Sequence, residues 1–227
     1  MKDGYIHVVF VIDESGSMYP STKDVVEGYN KVIDEQKKVK DGKCTVSLFK
    51  FGTEVSKVYV GKELDDIKEL EYNAGGLTAM NDGIGTAIDE VGKWLNDTKE
   101  EDRPSQVLVA IITDGYENNS KDYTLEKVRD MIKHQEEKYS WKFMYMGCDV
   151  TDANYAKGLG IKTRGFGNRT NLKENINWIN CANTTYRSFD GNNDAKLAAM
   201  DSYLNWTASE MTANYEKELG KKINGND

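Results

Sequence analysis

The chain is poor in the residues that do nucleophilic or thiolate chemistry: 227 residues contain two histidines and three cysteines. Cys44, Cys148 and Cys181 are odd in number and widely spaced, with no Cys-x-x-Cys. That excludes a disulfide framework and a zinc-thiolate site, and leaves buried free thiols as the expectation. Basic charge is in deficit as well, with 30 Lys and Arg against 38 Asp and Glu for a net −8. No Lys/Arg stripe with interleaved aromatics exists to neutralise phosphates, so nucleic acid is not an expected partner. Long apolar runs are missing too. The one near the start, Val8 to Ile12, is interrupted by Asp13, too short for a signal peptide or a membrane span. The reading is a cytoplasmic protein with no membrane partner.

What is present is a set of short apolar runs in a chain whose mean hydropathy is −0.68. This is the pattern of a folded domain with a charged surface. Tyr5 to Ile12 and Gln106 to Thr113 are nearly all apolar and read as central buried strands, with Trp141 to Gly147 a third. Cys44 to Gly52 and Glu54 to Val60 alternate, and Gly52-Thr53 joins them as a hairpin. Helical periodicity occupies Ser21 to Val39, Met80 to Asn96, Thr124 to Tyr139, Asp152 to Leu159 and Asn171 to Ser188. The alternation predicts an α/β fold: a Rossmann-like, doubly wound, mainly parallel sheet with one antiparallel edge strand and helices on both faces. After Gly191-Asn-Asn-Asp194, Leu197, Met200, Leu204, Ala208, Met211, Tyr215 and Leu219 recur at intervals of three or four. The expected division is a sheet domain over 1–190, then an amphipathic C-terminal helix and polar tail over 191–227.

In open α/β sheets ligands sit beyond the carboxyl ends of the strands. The first central strand ends in Asp13-Glu-Ser15-Gly-Ser17, a carboxylate and two hydroxyls at alternating positions. Such oxygens suit a hard divalent ion, which Mg²⁺ exemplifies with oxygen ligands at about 2.1 Å. The second ends in Thr113-Asp114-Gly115, and Gly75-Gly-Leu-Thr78 opens a helix between them. The plain alternative is that Ser15 and Ser17 cap the helix starting near Ser21 and that Asp114 caps the next. Of the neighbouring acids, Glu14 and Glu117 are expected to be solvated, and Asp82 to serve its helix N-terminus or the ligands' surroundings.

These three motifs, in this order, resemble the von Willebrand factor A family and its metal-ion-dependent adhesion site. The resemblance covers roughly residues 4 to 188 and is nearest to the stand-alone bacterial and phage type. It implies that Asp13, Ser15, Ser17, Thr78 and Asp114 form the metal site, with the serine hydroxyls as direct ligands. Thr78 would be direct or not according to conformational state, and the two aspartates would ligate or hold coordinated waters. Mg²⁺ is the implied ion, with Mn²⁺ or Ca²⁺ as alternatives. The implied function is protein binding, in which an Asp or Glu of a partner completes the metal's shell; the chain is expected not to be an enzyme. Two rivals remain. A phosphohydrolase could use Asp13 as a strand-end nucleophile, but position 15 lacks the second acid of haloacid-dehalogenase-type enzymes. Neither His7, inside a strand, nor His134, on a surface-like helix, offers Ser17 a base, and no Walker motif is present. Alternatively the sheet is a scaffold and the C-terminal helix mediates self-association.

Overall fold

The computed structural model describes residues 2–147, 150–161 and 172–204. Cys148, Asn171, and the expected C-terminal helix and tail beyond Leu204 lie outside the described residues. Five strands, β1 (Lys2–Asp13), β2 (Lys43–Phe51), β3 (Val55–Glu63), β4 (Pro104–Ile112) and β5 (Lys142–Met146), form one sheet in the order β3-β2-β1-β4-β5. β1 pairs in parallel with β2 and β4, β5 pairs in parallel with β4, and the edge strand β3 runs antiparallel to β2. This is the mixed sheet that the sequence predicts. The helices are α1 (Thr22–Lys38), α2 (Met80–Asp97), α3 (Leu125–Tyr139), α4 (Val150–Gly158), α5 (Leu172–Ser188) and α6 (Asn193–Leu204).

β1 explains why the sheet is covered twice. Successive side chains of a strand point to opposite faces. Ile6, Val8, Phe10 and Ile12 therefore enter one core with Val25, Tyr29 and Val32 of α1, Ile176 and Ile179 of α5, and Met200 and Leu204 of α6. Val9 and Val11 enter the other with Ile84, Ile88 and Val91 of α2, Val128 and Ile132 of α3, and Ala156 of α4. Each such side chain contributes about 1.5–3 kcal/mol by leaving water, so neither face can be uncovered cheaply. The described part of the C-terminal helix thus packs on its own domain.

Gly83 and Gly85, too few for a dinucleotide fingerprint, have a packing role. A Cβ at Gly83 would lie 2.8 Å from the Phe51 ring, and one at Gly85 2.3 Å from the Tyr123 ring. Their absence lets α2 close onto the sheet and onto the loop before α3.

The register sets the site. Asp13 stands beside Phe51, and Ile12 beside Ile112, so β1, β2 and β4 release their chains at the same edge. The order of strands reverses between β1 and β4, the crevice where open α/β sheets take ligands.

Candidate metal centre

Asp13 ends β1 fully buried. Its carboxylate accepts the Ser15 N–H at 2.6 Å, which turns the chain back over the strand end, and the Thr113 hydroxyl at 2.7 Å. A 3₁₀ turn over Gly16–Ser21 follows, with Ser15 at its N-cap. The Ser15 side chain makes no capping bond there; its hydroxyl pairs with that of Ser17 at 3.0 Å. At the start of α3 the capping side chain is Thr124, which accepts the Lys127 N–H. The capping alternative therefore fails for both Ser15 and Asp114.

A Cβ placed on Gly115 would stand 2.8 Å from Ser17 Oγ, 3.2 Å from Asp13 Oδ2 and 3.3 Å from Ser15 Oγ. Three candidate ligands thus converge on the backbone that directly follows Asp114. Asp114 itself is 7% exposed. Burial pushes the Asp13 carboxyl up to about 6; the bonds from Thr113 and Ser15 oppose this, and the negative charge of Asp114 adds to it. Two carboxylates share a low-dielectric crevice with the hydroxyls of Ser15, Ser17 and Thr113. Carboxylates and hydroxyls gathered in this way fit a divalent cation, and the space over Gly115 is a cradle that a methyl group would fill. Among the described residues, no group of three or more His, Cys, Asp or Glu side chains gathers as a metal site. Two acids and hydroxyls fall below that count by composition.

Thr78 is brought to the crevice by its backbone. The Thr78 N–H donates to Asn118 Oδ1 at 2.9 Å, and its carbonyl accepts the N–H groups of Asn118 and Asn119 at 3.0 and 3.2 Å. The same loop meets the β1 turn through Gly75 N–H to Glu14 O at 2.7 Å and Gly16 N–H to Gly76 O at 3.1 Å. Thr78 is buried, and among the described residues its hydroxyl makes no hydrogen bond to Asp13, Ser15 or Ser17.

The neighbouring acids differ from expectation. Glu14 is not solvated: it pairs with Lys50 at 2.8 Å, both largely buried, and accepts the Asn73 N–H at 3.0 Å. Glu117 is not solvated either; its oxygens accept the N–H groups of Asn81, Asn119 and Ser120 and the Ser120 hydroxyl. Asp82 accepts from Lys121, Asp122 and Tyr123, fastening the loop that leads into α3. A short carboxylate at a helix start bonds whichever backbone donors are nearest, and here a long loop supplies them. Sequence reasoning also gave no role to Thr113 or Tyr72. Thr113 orients Asp13 and accepts the Gly115 N–H at 3.1 Å, and the Tyr72 hydroxyl donates to the Asp13 carbonyl. Thr113 could have been found as the hydroxyl beside a strand-end Asp; Tyr72 had no local signal.

His7 is core. Its ring nitrogens bond Thr45 Oγ1 and Ser47 Oγ at 2.9 Å each, its ring lies 4.5 Å from Trp94, and burial lowers its pKa to about 3. His134 is exposed on α3. Cys44 is buried and Cys181 half-buried, and neither is in a disulfide among the described residues.

The sequence pattern of the von Willebrand factor type A domain matches residues 7–200. The chain belongs to this family. Solved structures similar to this von Willebrand factor A domain include the PilB minor pilin from Streptococcus sanguinis, with TM-score 0.60 at 15% identity, covering 84% of this chain and 64% of that one. The pilus adhesin SpaC from Lactobacillus rhamnosus GG gives 0.59 at 11% identity over 82% and 30%. Proximal thread matrix protein 1 from the mussel byssus, solved with a zinc-occupied MIDAS motif, gives 0.50 at 13% identity over 79% and 47%. At these identities the likeness is one of fold, and the chain spans less than two thirds of each of these proteins.

Proposed function

We propose that this domain is a divalent-cation-dependent protein-binding module, with Asp13, Ser15, Ser17, Thr78 and Asp114 as its metal-ion-dependent adhesion site. The observation that carries the reading is the convergence of Asp13, Ser15 and Ser17 on Gly115, next to buried Asp114. Ser15 and Ser17 supply neutral oxygens, Asp13 and Asp114 supply charge, and Thr113 and Tyr72 hold Asp13 in place. An all-oxygen donor set suits Mg²⁺ first, then Mn²⁺ or Ca²⁺. The byssus protein's zinc-occupied motif supports the class of site without fixing the ion. The two aspartates would balance the charge of a bound divalent cation, and the neutral, weakly donating hydroxyls would leave it Lewis-acidic enough to take a carboxylate of a partner protein.

The role is non-enzymatic, performed in the cytoplasm by a domain of the stand-alone bacterial or phage type. Asp13 is a poor strand-end nucleophile, because both its oxygens already accept hydrogen bonds. Self-association through the C-terminal helix is the weaker reading, since Met200 and Leu204 already lie in the domain's own core. No described helix is long and apolar enough to cross a membrane.

The test is a thermal melt in Mg²⁺ and in chelator, paired with a pull-down in both buffers. Mg²⁺ should raise the melting temperature of the wild type but not of Asp13→Ala, and the recovered partner should vanish in chelator. Recovery of the same partner in both buffers removes the bridging mechanism.

A further inference from the structure

The described surface exposes six large hydrophobic side chains: Tyr19, Val58, Leu77, Tyr116, Tyr139 and Phe189. Single exposed apolar residues are ordinary. Their distribution here is not, because three of the six sit on the three loops that meet at the candidate site. Tyr19 follows Ser17 by two residues, Leu77 precedes Thr78, and Tyr116 follows Asp114 by two. They are 75%, 49% and 58% exposed, while the ligand residues Asp13, Ser15, Thr78 and Asp114 beside them are buried.

The loops that carry them are fixed. The Tyr19 carbonyl accepts the Thr22 N–H, and the Leu77 N–H donates to Thr53 Oγ1 at 3.0 Å. Tyr116 lies between Gly115, bonded to Thr113, and Glu117, whose carboxylate gathers three backbone N–H groups. Gly16 N–H to Gly76 O, and the Gly115 backbone against Ser17, keep the three loops touching. Side chains on loops already held in place lose little entropy on binding, and Tyr is among the residues enriched at the energetic centres of protein interfaces.

We infer that Tyr19, Leu77 and Tyr116 form an apolar collar around the cation site. The partner it fits presents one carboxylate flanked by hydrophobic residues. This rests on the metal-bridging reading above and narrows it. Charge favours the same partner: the chain carries −8, so a single acid among apolar neighbours is repelled less than a polyacidic segment. The carboxylate meets the cation, and its neighbours bury themselves against the collar.

The purified chain can be panned in Mg²⁺ against a display library of short peptides with a fixed central Asp and randomised flanks, eluting with EDTA. The expected pool carries Leu, Ile, Phe, Tyr or Trp within two positions of the Asp. Leu77→Ser and Tyr116→Ser should each weaken the best such peptide by about tenfold, a loss usual for an interface anchor. Both variants should keep the Mg²⁺-induced melting rise, which reports the site beneath them. Polar or acidic flanks, or wild-type affinity in both variants, overturn the collar. If the melting rise persists in that case, the cation site stands without it. Absence of any melting rise in the wild type removes the cation reading and the collar together.

Discussion

Asn118 and Thr78 hold each other by reciprocal bonds: the Asn118 side chain accepts the Thr78 N–H, and the Thr78 carbonyl accepts the Asn118 N–H. The clasp joins the loop after β4 to the loop before α2, and so sets where Thr78 stands relative to Asp114. Asn118→Ala removes the side-chain half and keeps the backbone half. The expected cost is roughly 0.5–1.5 kcal/mol by urea unfolding. Mg²⁺ should also bind more weakly by titration, since Thr78 loses its anchor.

Gly115→Ala tests the cradle. The new methyl would crowd Ser17 Oγ, the free end of a short side chain that can turn aside, so in chelator the variant should lose less than about 1 kcal/mol. The melting rise in Mg²⁺ should be lost, because the methyl takes the space in which the three oxygens converge. Full retention of the rise would place the ion elsewhere.

Asp13→Asn separates function from stability. In chelator the wild type holds two buried carboxylates close together, which the neutral amide relieves. The substitution should leave the metal-free protein as stable as wild type or better by roughly 0.5–2 kcal/mol, the pattern of sites kept for function. Differential scanning calorimetry with and without Mg²⁺ should then show a flat response in the variant and a rise in the wild type.

His7 gives the pH dependence. Its folded pKa, about 3, lies below the ordinary 6.5, so the unfolded chain takes up a proton that the folded chain refuses. The stability is therefore complete above about pH 6.5 and drains away as pH falls towards 3. Between pH 7 and pH 5 the wild type should lose about 2 kcal/mol more than His7→Gln, whose amide cannot titrate in this range. Parallel urea titrations of the two proteins at both pH values measure the difference; equal losses would mean His7 accepts a proton in the core.

The sheet was legible because its strands announce themselves twice, once by apolar runs and once by the chemistry at their ends. Val9 and Val11 on one face and Phe10 and Ile12 on the other required a strand covered on both sides, and the sheet follows from that. Asp13, Ser15 and Ser17 were legible because a carboxylate and two hydroxyls recur at alternate positions where a buried strand ends and the chain turns back. What sequence could not reveal were bonds between distant segments. Tyr72 reaches Asp13 across 59 positions, Lys50 reaches Glu14 across 36, and Glu117 reaches the Asn81 backbone across 36. Each is an ordinary polar residue in its local setting and acquires its role only when the chain has folded around it. The assignment of Glu14 and Glu117 to solvent failed for that reason.

Glu14 and Gly16 occupy the positions between the candidate ligands, and both bond the segment 73–76. The turn therefore works like a zip with two sets of teeth. Odd positions carry the candidate ligands, and even positions tether the neighbouring strap that ends in Thr78. Two domains with identical ligand residues need not hold an ion alike if their intervening residues differ. Evolution can retune this grip at Glu14 or its counter-ion Lys50 while every ligand stays the same.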